Sequence, residues 1–208
     1  MGADSLELAI RAMAWQERSL TRKQAELLGG FADWLVSEAA GAGGIGPNEK
    51  QRIWSRHIAD SLLFGRALND HATCLDIGSG AGLPGIPLAI TRPETSFVLL
   101  DRSGRRCDLM RRATGILELP NCRVIQQDVA EVDERFGAIV SRAAIPPEMM
   151  MIHVKRILKP GGVAILGLSH TAKPQQTLTA PVGLTSSVIS VPADILDTEI
   201  NLLRIEAT

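Results

Sequence analysis

The feature that most constrains the fold is a short apolar segment that runs directly into a glycine-rich turn. Residues 75–77 are Leu-Asp-Ile, and glycine then occupies every second position from 78 to 82. Alternating glycines weaken a turn unless its backbone needs positive φ angles or must approach another group closely. The next apolar segment, 97–100, is followed by Asp101, an acid about 20 residues past the turn, which is typical of the nucleotide-binding edge of a parallel α/β sheet.

The residues of this turn are compatible with two kinds of ligand, a dinucleotide and S-adenosylmethionine. A dinucleotide turn follows G-x-G-x-x-G and places a pyrophosphate at a helix N-terminus. Here the spacing is G-x-G-x-G with Asp76 two residues before its first glycine, which suits a cationic, phosphate-free ligand. We therefore expect S-adenosylmethionine rather than NAD, and a turn without any ligand is the remaining alternative. The residues expected to form this site are Asp76, Gly78, Ser79, Gly80, Gly82 and Asp101.

Composition and charge place the chain among soluble globular proteins. Its 208 residues are 45% hydrophobic and 22% charged, and the net charge is −1, so a nucleic-acid partner would need a local basic patch. The three cysteines show no C-x-x-C spacing and the four histidines are scattered, which favours a reducing cytoplasm and no metal site. The sequence shows no signal-peptide pattern and no apolar run of ~18 residues, so we expect neither a leader nor a membrane span. We expect no membrane contact, and nothing in the sequence demands more than a monomer.

The apolar pattern changes near residue 70 and predicts two regions. Residues 1–70 indicate a small helical region with a glycine-rich loop at 39–47. Residues 71–208 alternate strand and helix patterns, which predicts an α/β domain with a parallel sheet. The predicted strands are 73–77, 96–100, 122–126, 137–141, 162–168, 184–191 and 199–206, with helices at 84–91, 103–118 and 146–158. The last two strands are expected to form an antiparallel pair at the sheet edge, and residues 159–162 a turn.

Several motifs resemble those of the RsmG (GidB) family, bacterial 16S ribosomal RNA guanine-N7 methyltransferases. The segment 76–87, D-I-G-S-G-A-G-L-P-G-I-P, is similar to the family's glycine signature, and few other Rossmann-like methyltransferases continue it with L-P-G-I-P. The segment 56–62, R-H-I-A-D-S-L, resembles the family's R-H-x-x-D-S-L. Leu99-Leu100-Asp101 and Ser141-Arg142-Ala143 match the ends of its second and fourth strands. The resemblance covers roughly residues 50 to 165.

This resemblance implies a fold, a cofactor and a partner. The fold would be a Rossmann-like class I methyltransferase with a seven-stranded, mostly parallel sheet and a small N-terminal helical region. The cofactor would be S-adenosyl-L-methionine, and the substrate a guanine of 16S ribosomal RNA in the small ribosomal subunit. Carried over onto this chain, the family's cofactor contacts fall on Gly78, Leu83, Arg142, Asp128, Val129 and Ala130, and Asp101 is placed to bind the ribose.

The chain departs from the family pattern where a substrate would be met. Residues 38–44 are E-A-A-G-A-G-G in place of W-N-x-x-x-N-L-T, residues 128–130 are D-V-A in place of R-x-E, and no lysine precedes Gly167 on the fifth strand. Two alternatives therefore stand beside the ribosomal substrate: another acceptor, either RNA or a small molecule, and a module that binds S-adenosylmethionine or RNA without turnover. The glycine spacing and the lack of a Tyr-x-x-x-Lys pair disfavour an NAD(P)-dependent oxidoreductase.

Arg142 is the candidate catalytic residue, in a positioning role. Guanine N7 carries a lone pair and no proton, so its methylation needs positioning rather than a general base. We expect Arg142 to donate hydrogen bonds to the methionine carboxylate or to the target base. The alternative is an ion pair with Asp76 or Asp101.

The segment 57–61 contains a histidine, an aspartate and a serine, but we expect no hydrolytic triad. All three lie on one predicted helix, and no strained turn presents the serine. His57 is instead expected to lie half-buried between the helical region and the sheet, where it either shapes the pocket or only packs.

A basic patch is expected to bind RNA phosphates. Its candidates are Arg52, Arg56, Arg102, Arg105, Arg106, Arg111 and Arg112. Phosphate contacts of this kind depend on salt, and the alternative is a solvated helix face balanced by Asp108 and Glu118. Aromatic residues are scarce, at 3% of the chain, so recognition by base stacking is not indicated and a folded particle read by its shape fits better.

Overall fold

The computed structural model of the chain describes residues 3–41, 45–46, 49–68, 71–142, 144–168 and 180–208. Two helices come first, α1 (Ala3–Trp15) and α2 (Arg22–Trp34), and α2 continues into a π-helical segment, Leu35–Ala39. A second helical stretch begins with a 3₁₀ turn, Lys50–Arg52, and a π-helical segment, Ile53–Ala59. It continues through α3 (Asp60–Leu63) and ends in a second 3₁₀ turn, Phe64–Ala67. The predicted loop 39–47 lies partly outside the described residues.

A seven-stranded sheet forms the rest of the fold. Its strands are β1 (Thr73–Ile77), β2 (Ser96–Asp101), β3 (Cys122–Gln126), β4 (Phe136–Arg142), β5 (Leu158–Gly167), β6 (Leu184–Val191) and β7 (Ile200–Ala207). The helices among them are α4 (Gly85–Thr91), α5 (Gly104–Ile116), α6 (Pro147–Ile157) and α7 (Ala193–Leu196), with a 3₁₀ turn at Val129–Glu131. The strand order is β3-β2-β1-β4-β5-β7-β6, and β7 runs antiparallel to both of its neighbours. The predicted α/β class and the antiparallel edge pair are confirmed.

One local prediction was wrong, and one short element was not predicted. Residues 159–162 were expected to form a turn, but they belong to β5 and form a bulge in it. Leu158 pairs with Phe136 and Val163 already pairs with Ala138, so β5 accommodates extra residues while both pairings are kept. The short helix α7 was not predicted, because a helix of four residues is too short to show an apolar period.

The core consists of one apolar layer on each face of the sheet. Successive strand residues point to opposite faces, so Cys74 contributes to one layer and Leu75 to the other. The first layer also contains side chains of α1, α2, α4 and α5, and the second contains those of α6. The N-terminal helices therefore pack on the same side of the sheet as α4 and α5. None of the described helices has both the length and the apolar character needed to cross a membrane.

Candidate functional site

The turn after β1 is built from glycines in a conformation that other residues avoid. The φ angles of Gly78, Gly80 and Gly82 are 70°, 61° and 91°, and side chains disfavour this region. A Cβ on Gly78 would lie 2.5 Å from Cβ of Ala144, and one on Gly82 would lie 2.3 Å from Cδ1 of Ile86. At Gly80 the nearest atom to such a Cβ is a carbonyl oxygen 3.9 Å away. The backbone at Gly80 therefore borders open space, where a ligand can approach it closely.

Asp76 lies beneath this turn and is completely buried. Its Oδ2 accepts a hydrogen bond of 2.8 Å from the N–H of Gly85, at the start of α4, while Oδ1 has no partner among the described residues. Burial raises the pKa of Asp76 to about 7, against the opposing effects of that hydrogen bond and of the Arg142 charge. Asp76 thus links β1 to the start of α4 beneath the glycine turn. Its predicted contact with the cofactor stays a prediction.

Asp101, at the end of β2, ties the glycine turn to the neighbouring strand. Its Oδ2 accepts from the N–H of Gly80 at 3.1 Å, and its Oδ1 accepts from the N–H of Ser103 at 2.9 Å. The guanidinium of Arg106 lies 3.6 Å from Oδ2. Each carboxylate oxygen carries more than one lone pair, so Asp101, although buried, retains acceptor capacity.

The other predicted cofactor residues lie along the same edge of the sheet. Ser79 and Leu83 are buried within the turn, where the Leu83 N–H donates to the Ser79 carbonyl at 2.8 Å. After β3, Asp128 accepts from the N–H of Ala130 at 2.9 Å and so caps the 3₁₀ turn that begins at Val129. Because β1 to β4 are parallel, their carboxyl ends meet at one edge, and the strand order reverses between β1 and β4. Open α/β sheets bind ligands in the crevice at such a reversal.

Arg142, at the end of β4, lies beside the second helical stretch, residues 50–67. Its Nη1 donates to Oδ2 of Asp60 at 3.1 Å and to the carbonyl of Arg56 at 2.8 Å. Asp60 is therefore its acid partner, and the ion pair with Asp76 or Asp101 that stood as the alternative is not the one that forms. The physical reason is that the helical stretch packs over the end of β4 and brings the Asp60 carboxylate within reach.

His57 links Arg142 to Glu49, and the three residues form a hydrogen-bond network together with Asp60. Its Nδ1 lies 3.2 Å from Nη2 of Arg142, and its Nε2 lies 3.2 Å from Oε2 of Glu49. The contact with Arg142 on β4 puts His57 between the helices and the sheet, as expected. Its side chain is only 12% exposed, so it is more deeply buried than the expected half. Burial, followed by the Arg142 charge, lowers the pKa of His57 to about 4. Ser61 is buried and its Oγ donates to the His57 carbonyl, so these residues form no hydrolytic triad.

A cleft of about 790 Å³ opens beside the network. It is lined by the stretch 49–64, by the ends of β4 and β5, and by the chain from α7 into β7. Its polar lining includes Arg52, Arg56, His57, Asp60, Arg142 and Asn201. The glycine turn does not line the cleft, but Ser141, the residue before Arg142, donates to the Ile77 carbonyl directly before that turn at 2.9 Å. The end of β4 therefore joins the turn to the cleft.

The candidate RNA-binding arginines are exposed but fall into two groups. Two line the cleft, Arg52 and Arg56, and five lie on or just before α5, Arg102, Arg105, Arg106, Arg111 and Arg112. In the second group, Arg106 pairs with Asp101, Arg111 with Asp108 and Arg112 with Glu38. Within the described residues, Arg102 and Arg105 form no ion pair and remain available for phosphate contacts.

Two residues of the site escaped the sequence analysis. Glu49 belongs to no motif, and Asn201 lines the cleft because β7 is inserted beside β5. Asp60 could have been found from the sequence, because it lies within the R-H-x-x-D-S-L segment, four residues after Arg56. In the described part of the chain no group of three or more His, Cys, Asp or Glu side chains is arranged to hold a metal ion.

The strand order and the glycine turn define the Rossmann-like fold of class I methyltransferases. Solved structures share it at low identity. An O-methyltransferase segment, StiE O-MT residues 942–1257, has a TM-score of 0.58 at 14% identity and covers 87% of this chain and 90% of that one. The precorrin-6y C5,15-methyltransferase of Geobacter metallireducens has a TM-score of 0.50 at 16% identity and covers 68% and 82%.

The chain belongs to the GidB family, rRNA small subunit methyltransferase G, whose sequence model matches residues 24–185. The ribosomal RNA small subunit methyltransferase G of Frankia alni is 36% identical over 141 residues, which cover 65% of this chain and 54% of that protein. The protein of the same name from Nocardioides sp. is 32% identical over 197 residues, which cover 91% and 76%. The chain spans about half the length of several relatives that it matches, among them those of Frankia alni and Mycobacterium marinum, at 54% each.

Proposed function

We propose that this protein transfers a methyl group from S-adenosyl-L-methionine to a guanine N7 of 16S ribosomal RNA in the small subunit. The observation that carries the proposal is the junction at the end of β4, where Ser141 contacts the strand that leads into the glycine turn and Arg142 lines the cleft. A cofactor on the turn and an acceptor in the cleft would meet there. Membership of the GidB family supports the choice of acceptor. We further propose that the protein acts as a monomer in the bacterial cytoplasm.

The residues around the turn suit S-adenosylmethionine, which supplies an electrophilic methyl group on a sulfonium. The open backbone at Gly80 permits close approach of the ligand. Asp101 has remaining lone pairs for the ribose hydroxyls, and the 3₁₀ turn Val129–Glu131 would lie on the adenine side. Arg142 would bind the methionine carboxylate or the target base.

The reaction needs no proton transfer from the protein. The lone pair of guanine N7 forms the new bond to the methyl carbon while the bond from that carbon to sulfur breaks, so the sulfonium becomes a neutral thioether and the base becomes cationic. Positioning and tolerance of the cationic product are the tasks left to the protein. Glu49 and Asp60 line the cleft together with Arg52, Arg56 and Arg142, so the cleft contains charged groups of both signs.

The deciding experiment is transfer of labelled methyl from S-adenosylmethionine to 30S subunits of a strain that lacks its own guanine-N7 enzyme. We expect label in 7-methylguanosine, and none when the subunits come from a strain whose site is already methylated. Arg142→Ala should lower turnover sharply, whereas Arg123→Ala, which affects an exposed ion pair with Glu134, should not. Bound cofactor without any transfer would contradict the ribosomal proposal and favour another acceptor or a non-catalytic module.

A further inference from the structure

We propose that His57 is a positioning residue for Arg142. Held by Glu49 as the neutral Nε2–H tautomer, it accepts a hydrogen bond from Arg142 at Nδ1 and fixes the guanidinium between the glycine turn and the cleft. The inference deepens the proposed function, because Arg142 is the residue that would contact the ligands there. Its structural part, the tautomer and the hydrogen bond, can be tested without any methyl transfer.

The tautomer follows from what each partner can donate. A guanidinium has only N–H donors, so the 3.2 Å contact between Nη2 of Arg142 and Nδ1 of His57 requires a lone pair on Nδ1. The single proton of a neutral imidazole must then lie on Nε2, where Oε2 of Glu49 accepts it at 3.2 Å. A protonated His57 would carry N–H on both nitrogens and would lose the bond to Arg142.

The network engages part of the Arg142 guanidinium and leaves part of it available. The described residues accept from both N–H groups of Nη1, through Asp60 and the Arg56 carbonyl, and from one on Nη2, through His57. The second N–H of Nη2 and that of Nε have no partner among these residues. The side chain is 21% exposed. The guanidinium is thus held on one side and retains two donors for a carboxylate or a base.

Charge and burial keep His57 neutral. The charged groups around it are Glu49 on the preceding segment, Arg52, Arg56 and Asp60 on the helical stretch, and Arg142 on β4. Burial and the Arg142 and Arg56 charges lower the pKa of His57, and Glu49 raises it by a smaller amount. The result, about 4, keeps the acceptor at Nδ1 available at neutral pH.

The structural test is a nitrogen-15 NMR titration of the histidine side chains in the full chain, assigned with His57→Gln. We expect the Nε2–H tautomer and no protonation of His57 at pH 6 or above. Arg142→Ala should raise the pKa of His57, because it removes a neighbouring positive charge, and Glu49→Gln should lower it, because it removes a negative one. Arg123→Ala serves as the control and should leave it unchanged.

The functional test compares two substitutions of His57, each of which places an amide group where one of the two imidazole nitrogens lies. The amide oxygen of His57→Asn can take the place of the Nδ1 acceptor, while the amide of His57→Gln reaches instead toward Glu49. We expect His57→Gln to lower kcat by roughly tenfold or more and His57→Asn to retain most of it, with little change in the KM for the subunit. His153→Gln on α6, outside the cleft, is the control.

The two tests fail in different ways. An Nδ1–H tautomer, a charged His57 at neutral pH, or a pKa that is the same in Arg142→Ala would overturn the positioning role whether or not methyl is transferred. Equal losses in His57→Asn and His57→Gln would also overturn it, because they would show a packing role. A wild-type protein that shows the expected titration but methylates no subunit would instead contradict the proposed ribosomal function and leave the network in place.

Discussion

At the scale of single residues, Gly80 combines a positive φ, which Gly78 and Gly82 share, with open space, which they lack. Its φ of 61° is unfavourable for a side chain, and a Cβ there would meet nothing closer than 3.9 Å. Gly78 and Gly82 are instead constrained by contacts with Ala144 and Ile86. A side chain at position 80 can therefore be added without an internal clash, and it would occupy the space that a ligand needs.

Gly80→Arg should abolish binding of S-adenosylmethionine while the protein stays folded. The cost in stability is that of one left-handed residue, about 1–2 kcal/mol, and the loss of binding is steric. Isothermal titration with the cofactor, together with thermal unfolding, tests both parts. Gly161→Arg is the matched control, because Gly161 has a φ of 70° and equally open space but lies in the bulge of β5. Retained binding in Gly80→Arg would show that the cofactor lies elsewhere.

At the scale of elements, α5 is a helix with one buried and one basic side. Cys107, Met110 and Ala113 face the core, while its arginines are exposed. Ion pairs with Asp101, Asp108 and Glu38 engage three of these arginines. The solvated-face interpretation therefore applies to Arg111 and its neighbour Asp108, whereas Arg102 and Arg105 favour a phosphate contact.

Arg105→Gln should weaken binding to small ribosomal subunits and reduce its salt dependence. Each phosphate contact that is lost lowers the slope of log K against log salt by roughly one, because fewer counterions are released. Binding measured over a series of salt concentrations gives that slope. Arg111→Gln, on the same helix but paired with Asp108 at 2.8 Å, should change it less. An unchanged slope in Arg105→Gln would place the RNA interface away from α5.

At the scale of the whole molecule, stability is expected to depend on a carboxyl group buried at the centre of the sheet. Asp76 lies on β1, between β2 and β4, and is 0% exposed. Its folded pKa of about 7 exceeds the ordinary value of 3.8, so the folded protein binds a proton that the unfolded chain has released. The contribution of Asp76 to stability is therefore complete below pH 3.8 and is lost as pH rises to about 7.

Asp76→Asn should remove this pH dependence. As pH rises from 3.8 to about 7, the unfolding free energy of the variant should increase relative to that of the wild type, by at most about 1.4 kcal/mol per pH unit. Above pH 7 the difference should level off. The amide oxygen of the variant can still accept from the Gly85 N–H. Denaturant unfolding at several pH values gives the difference. A difference independent of pH would show that Asp76 titrates normally in the folded protein.

The sheet itself was largely predictable from the sequence, whereas its irregular parts were not. All seven strands and the helices α4, α5 and α6 were expected within a few residues, because strand and helix periods are local properties of the chain. The bulge at 159–162 depends on the register against β4, which no local pattern carries. The π-helical segment Ile53–Ala59 was likewise predicted only as helix.

For the site, the amino-acid sequence by itself determined the glycine turn and its flanking acids. Positive φ is a property of the individual residue, and Asp76 and Asp101 follow from where two strands end. Only the tertiary structure decided that Arg142 pairs with Asp60, that His57 joins it to Glu49, and that a cleft opens beside them. The contacts of Arg142 with Asp60 and His57 bring together residues that are more than eighty positions apart in the chain, so they exist only once the helical stretch at 50–67 has packed against the end of β4.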